Sequence, residues 1–200
     1  FKKNSQLSFD LINLKEKNNE ILIKGLDLSK DLKIIDIQNL KLNYVNDKKI
    51  LNNLNLKKDN TDFIIKGESF DASRIVNNIL DSDDESSSIF NNLNSKIDIK
   101  IKKTYIDEVN FIHNLFGDIS YNDNEIEYLR LESIFPNEKK INLSIETKNN
   151  SEVITRLFTD YPKPLVKRYD FIKGFEEGSL DFYSLKKGSK SNSVLIIDNL

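Results

Sequence analysis

The sequence contains no cysteine, methionine or tryptophan, and only one histidine. Without cysteine the chain can form no disulfide, no thiolate metal site and no cysteine nucleophile. Any Ser-His-Asp arrangement would have to use His113, and no Gly-x-Ser-x-Gly nucleophile elbow accompanies it. We therefore expect a protein that is not an enzyme, with a hydrolase built around His113 as an alternative.

An excess of one charge is also missing. Lys and Arg number 30 against 32 Asp and Glu, which leaves a net charge of −2. Such a balance gives no long-range field that would attract nucleic acid, so no nucleic-acid partner is expected. No apolar run approaches the roughly 18 to 20 residues that cross a bilayer. Because the chain starts at Phe1 and stops just after an apolar run, we expect it to be cut from a longer polypeptide, with any membrane anchor outside it.

What the sequence does have is an alternation of apolar and polar residues. In the stretch Ser95–Lys102, Ile97, Ile99 and Ile101 fall on one face of an extended chain and charged residues fall on the other. This pattern predicts a half-buried β-strand. The same alternation recurs in Leu7–Leu11, Leu40–Tyr44, Leu54–Leu56, Ile141–Ile145 and Leu180–Phe182.

Short polar sequences separate these stretches and predict hairpin turns between antiparallel strands. They lie at residues 17–19, 46–47, 58–60, 122–124 and 186–188. The alternation slips by one residue at Leu11/Ile12, Ile34/Ile35 and Tyr128/Leu129. Because such a slip moves the apolar set to the opposite face, a bulge or bend is expected near each position. The predicted sheet is therefore strongly twisted or curled.

Two stretches fit a helix better than a strand. Asp71–Leu80 and Ser151–Phe158 both place apolar pairs at helical spacing behind a serine or aspartate that could cap the helix. Each follows a series of strands, which suggests a duplicated strands-then-helix unit. We predict a first unit over residues 1–80, an acidic and serine-rich loop or linker over 81–94, and a second unit over 95–200 that runs into a further strand repeat.

The predicted fold is thus mainly β with a minor α component (α+β minor). It is an elongated, curled antiparallel sheet with two short amphipathic helices and a repeated strands-then-helix unit.

The linker contains one candidate metal site. Asp81, Asp83 and Glu85 have the carboxylate spacing of a calcium loop, but Ser86 replaces the turn glycine and Asn92 the final bidentate carboxylate. A solvated acidic loop explains the pattern better. We expect no metal, no cofactor and no catalytic residue.

The apolar stripe of the strands has two interpretations. It could form the core of a β-sandwich, or it could be an incompletely covered face that serves as a groove for acyl chains, because two short helices cover little sheet. The residues expected to line such a groove are Ile97, Ile99, Ile101, Phe111, Ile119, Leu129, Leu131, Ile141, Leu143, Ile145, Leu180 and Phe182.

Several segments resemble the AsmA-like family of periplasmic β-groove proteins. The predicted helix Ser151–Phe158, the aromatic stretch Tyr169–Gly174, the step Gly178–Phe182 and the apolar strand Val194–Ile197 follow one another as they do in that family. Gly117–Tyr121 and the strand after it, together with residues 67–80, are similar to its earlier strands and strand-to-helix junction. The resemblance covers about residues 60 to 200 and consists of apolar and turn patterns without catalytic groups.

Membership would imply a C-terminal-region fragment of a protein on the periplasmic face of the bacterial inner membrane, anchored by an N-terminal helix outside this segment. It would bridge or shelter phospholipids on their way to the outer membrane, as part of outer-membrane biogenesis. The implied partners are phospholipid acyl chains, the membrane and envelope proteins. The alternative is a structural or assembly module for outer-membrane proteins that carries no lipid.

Overall fold

A computed structural model describes residues 7–75, 93–148, 152–166 and 177–198. Within these ranges the chain forms thirteen strands and two short helical stretches. The strands are β1 (Leu7–Glu16), β2 (Asn19–Leu28), β3 (Ile34–Asp36), β4 (Asn39–Val45), β5 (Leu51–Asp59), β6 (Asp62–Asp71), β7 (Ser95–Tyr105), β8 (Phe111–Asn122), β9 (Glu125–Ile134), β10 (Lys140–Lys148), β11 (Glu152–Thr159), β12 (Ser179–Lys187) and β13 (Lys190–Asp198). The helical stretches are residues 73–75 and α1 (Lys163–Val166).

All thirteen strands belong to one curled, unclosed sheet. They follow chain order from β1 at one edge to β13 at the other, except that β3 pairs only with β2. Every pair is antiparallel apart from β6 and β7, which run parallel. The prediction of a mainly β, curled, mostly antiparallel sheet is confirmed.

The predicted turns connect the strands where expected. The turn residues Lys17, Asn60, Asp123, Asn124 and Gly188 all have positive φ, which two-residue hairpin turns require and which Asn, Asp and Gly adopt most readily. Register shifts occur at two of the predicted slips, in the β2–β3 pair and beside Glu127 in the β8–β9 pair. Strands β1 and β2, in contrast, pair with a constant register.

The prediction of a helix over Ser151–Phe158 is wrong, because Glu152–Thr159 is strand β11. Its apolar residues point to both faces of the sheet. Val153 and Leu157 lie opposite Thr147 and Leu143 on one face, whereas Ile154 and Phe158 point to the other. An i, i+1, i+4, i+5 pattern therefore arises from a strand with apolar residues on both sides. The short helix α1 comes after this strand, so a helix still follows a series of strands.

The other predicted helix, Asp71–Leu80, is described only at its beginning. Asp71 ends β6, and the Ser73 backbone N–H donates a 3.0 Å hydrogen bond to its carboxylate, as in an N-cap. Burial raises the pKa of Asp71, but hydrogen bonds from Ser73 and Asn46 outweigh it and leave the pKa below its ordinary value. Residues 76–80 lie outside the described residues.

The predicted loop or linker at 81–94 also falls mostly outside the described residues. On either side of it, β6 and β7 are direct neighbours in the same sheet. The division into two repeated units stays a prediction.

Candidate functional site: the apolar face of the sheet

The register of the central strands places apolar side chains side by side on one face. Ile97 lies opposite Ile119, Ile119 opposite Leu129, and Leu129 opposite Ile145. Directly opposed residues of neighbouring strands point to the same side of a sheet. A row of four branched apolar side chains therefore crosses strands β7 to β10.

A second row runs parallel to the first and is longer. It crosses six strands through Ile99, Gly117, Leu131, Leu143, Leu157 and Phe182. Gly117 interrupts the side chains because its strand approaches β9 closely: a Cβ there would lie 1.9 Å from the Arg130 carbonyl oxygen. The row thus contains a gap between Ile99 and Leu131.

A third row completes the face. Ile141 lies opposite Thr159, which in turn lies opposite Leu180, and Ile101 occupies the same side of β7. Eleven of the twelve predicted groove residues therefore share one face, here called the apolar face. It extends over β2, β4, β5 and β6, from which no groove residue was predicted, through Ile21, Ile23, Leu40, Leu42, Leu54, Leu56, Phe63 and Ile65.

Phe111 is the predicted groove residue that lies elsewhere. Its neighbour Ile112 packs with Ile141 in a cluster on the apolar face, so Phe111 points to the opposite, outer face. There its ring contacts Tyr105 at 5.5 Å and His113 at 5.1 Å, and Lys103 Nζ sits 3.9 Å from its centroid. Between His113 and Phe116, strand β8 has one residue more than the matching part of β9. This bulge reverses which side chains of β8 point to the apolar face.

The only histidine of the sequence, His113, belongs to this group of side chains on the outer face. In the described ranges the His113 ring contacts Phe111, and no serine or carboxylate forms a hydrogen bond with it. The Ser133 hydroxyl donates instead to the His113 carbonyl oxygen at 2.6 Å.

Two buried clusters close the apolar face at opposite ends of the strands. The first joins Leu26, Ile37, Phe63, Leu93 and Ile97 and reaches side chains from β1 to β8. Tyr121 packs against it, and burial raises the pKa of its hydroxyl.

The second cluster consists of Ile106, Ile112 and Phe135, with the Tyr161 ring in edge contact with Phe135 at 5.3 Å. Strand β7 runs from Ile97 in the first cluster to just before Ile106 in the second, a distance of about 30 Å at 3.3 Å per residue.

The apolar face as a whole is only partly covered. Four of its predicted residues, Ile97, Ile101, Leu129 and Leu180, are buried, and the other seven are partly exposed. Because all described strands lie in one sheet, no second sheet within the described ranges lies over them. The arrangement is a curled apolar surface that keeps some of its area accessible.

The outer face of the first half of β7 is charged. The Lys96 Nζ lies 3.4 Å from Oδ2 of Asp118 and 3.6 Å from Oδ1 of Asp98. The hydrogen bond to Asp118 raises the pKa of Lys96. The two faces of β7 thus differ sharply in polarity, as the alternation of Ser95–Lys102 predicts.

Other site types find no support in the described ranges. No three His, Cys, Asp or Glu side chains there are grouped to hold a metal ion. The calcium-loop candidates Asp81, Asp83 and Glu85 lie outside them. No helix in the part of the chain that the structure describes is long and apolar enough to span a bilayer.

No protein-family model, curated protein or solved structure matches this chain. The resemblance to the AsmA-like family therefore stays a prediction.

Proposed function

We propose that the apolar face shelters the acyl chains of phospholipids. The chain would be a segment of an AsmA-like protein on the periplasmic face of the bacterial inner membrane, passing phospholipid toward the outer membrane. The observation that supports this proposal is the set of aligned rows that cross the sheet while seven of their predicted side chains stay partly exposed.

The energetics of such a surface suit transport. Each buried methylene group contributes about 0.8 kcal/mol of transfer free energy, so a lipid tail is held without any specific polar contact. Because the apolar side chains repeat at the strand spacing of about 4.8 Å, neighbouring positions along the sheet offer similar surroundings to a tail. Movement between them needs no covalent step and no catalytic residue.

Photo-crosslinking tests the proposal. We expect photoreactive residues at Ile99, Leu131 or Leu143 of the full-length protein in cells to capture phospholipid, detected by mass spectrometry of the adduct. Probes at Arg130 and Ser144 serve as controls, because these neighbours of Leu131 and Leu143 point to the outer face. Lipid capture only from the two control positions would refute the proposal.

The alternative is a structural or assembly module for outer-membrane proteins that carries no lipid. The edge strand favours it: Val194, Leu195 and Ile196 of β13 are exposed by 50 to 55%. Among the described residues only β12 pairs with β13, and an edge of this kind with apolar side chains on both faces can template a further strand.

Leu143→Asp separates the two functions. If the apolar face is an open groove, the variant folds and loses lipid transport, because a charge there repels an acyl chain. If the face is a sealed core, a buried unpaired charge unfolds the protein. Far-UV circular dichroism measures folding, and Ser144→Asp, which adds the same charge on the outer face, is the matched control. Unfolding of Leu143→Asp alone would contradict the lipid groove.

A further inference from the structure

The outer face carries a depression of about 500 Å³ halfway along strands β6 to β8. Its charged and polar lining includes Lys66, Glu68, Lys100, Lys102 and Asn114, with Phe116 at one side. Lys66, Lys100 and Phe116 alternate with Ile65, Ile99 and Gly117 of the apolar face and so point to the opposite side of the sheet, and Ile101 and Leu115 also border the depression.

The depression results from the backbone. The register shifts by one residue between β5 and β6 beside Asn53, and between β8 and β9 beside Asn114. Strands β6, β7 and β8 keep a constant register with one another. At this level β6 therefore has one more residue than β5, and β8 has one more than β9, with β7 in step with β6 and β8. The sheet bends there. At this bend Asn114 has a left-handed backbone conformation, with a φ of 52°.

The charges in the depression are not balanced. Lys66 and Lys100 are directly opposite each other in the parallel pair, an arrangement that destabilises a sheet because like charges repel. The one carboxylate in the lining, Glu68, already forms a 2.8 Å ion pair with Lys102. In the described ranges neither Lys66 nor Lys100 has an ion-pair partner.

An apolar side chain borders these lysines. Phe116 lies opposite Lys100 on β8 and is 48% exposed. On its far side it faces Glu132 of β9, so the positive charge is confined to the β6 and β7 side of the ring.

We propose that this depression binds a phosphate group that carries an apolar portion. Lys66 and Lys100 would hold the phosphate as two point charges and relieve their mutual repulsion. Phe116 would contact the attached apolar atoms. The source of the phosphate is either a lipid headgroup or a free phosphorylated compound, and the proposal does not depend on the lipid groove.

Two probes distinguish the sources. Inorganic phosphate is titrated into the full chain at constant ionic strength and followed by calorimetry. Vesicles of phosphatidylglycerol are tested by co-sedimentation against vesicles of phosphatidylcholine. Saturable binding of phosphate without vesicle binding indicates a free phosphorylated ligand, whereas vesicle binding without phosphate binding indicates a headgroup.

The Lys66→Gln/Lys100→Gln variant tests the site itself. Of the two probes, we expect the variant to bind the one that binds the parent chain at least about tenfold more weakly, because a hydrogen bond to a charged group contributes about 1.5 to 3 kcal/mol. The variant should be folded and no less heat-stable than the parent, since the repulsion is removed. Lys140→Gln/Lys148→Gln changes two exposed lysines on the outer side of β10 and is the control. Absence of binding to both probes, or equal losses in the two variants, would overturn the proposal.

Discussion

Gly117→Ala is expected to lower the free energy of unfolding by about 3 kcal/mol or more, as steric strain at a constrained backbone position does. The added Cβ would lie 1.9 Å from the carbonyl oxygen of Arg130, and the glycine has a φ of 154° that other residues rarely adopt. Because the obstacle is backbone of the neighbouring strand, no side-chain rotation relieves it. Urea denaturation followed by circular dichroism measures the loss.

Gly188→Ala is the matched control for this substitution. Its φ of 57° is also positive, but nothing lies within 4 Å of the added Cβ. We therefore expect only the backbone strain of a left-handed residue, about 1 kcal/mol. Similar losses in the two variants would show that the close approach of β8 and β9 does not govern stability at Gly117.

Asp36→Ala is expected to lower the free energy of unfolding by about 3 kcal/mol. The Asp36 carboxylate is buried, accepts 3.0 Å hydrogen bonds from the Ile37 N–H and the Gln38 amide, and pairs with Lys58. Removing it leaves the half-buried Lys58 ammonium without this partner. The loss is measured by urea denaturation.

A double-mutant cycle measures the interaction energy between Asp36 and Lys58. If the Asp36–Lys58 interaction matters, the loss in Asp36→Ala/Lys58→Ala should be smaller than the sum of the two single losses. Asp31→Ala, in the exposed turn before β3, should change stability by no more than about 0.5 kcal/mol. Additive losses in the cycle would refute the coupling.

The sequence predicted the apolar face well where the alternation is regular. Ser95–Lys102 has apolar and charged residues in strict succession, so both the strand β7 and its two faces could be foreseen. The same holds for Ile141–Ile145 in β10. In such strands the burial of one face determines the orientation of every side chain.

Prediction failed where the chain departs from strict alternation. Phe111 lies beyond the bulge at Asn114, and one inserted residue in β8 is enough to turn it to the outer face. Strand β11 was mistaken for a helix because Val153/Ile154 and Leu157/Phe158 are apolar on both faces, so periodicity cannot distinguish the two structures. The depression around Lys66 and Lys100 was not foreseen, since it needs two strands distant in sequence to become parallel neighbours.

The order of the strands bears on how the molecule folds. Nearly every strand pairs with the strand next to it in the chain, so most of the sheet can grow by successive hairpins as the chain leaves the ribosome. Two joints are different, because 23 residues separate β6 from β7 in the chain and 19 residues separate β11 from β12. Since bringing two chain segments together costs entropy that rises with the length between them, these joints are the natural kinetic boundaries, and hairpins on either side of each can form before the parts unite.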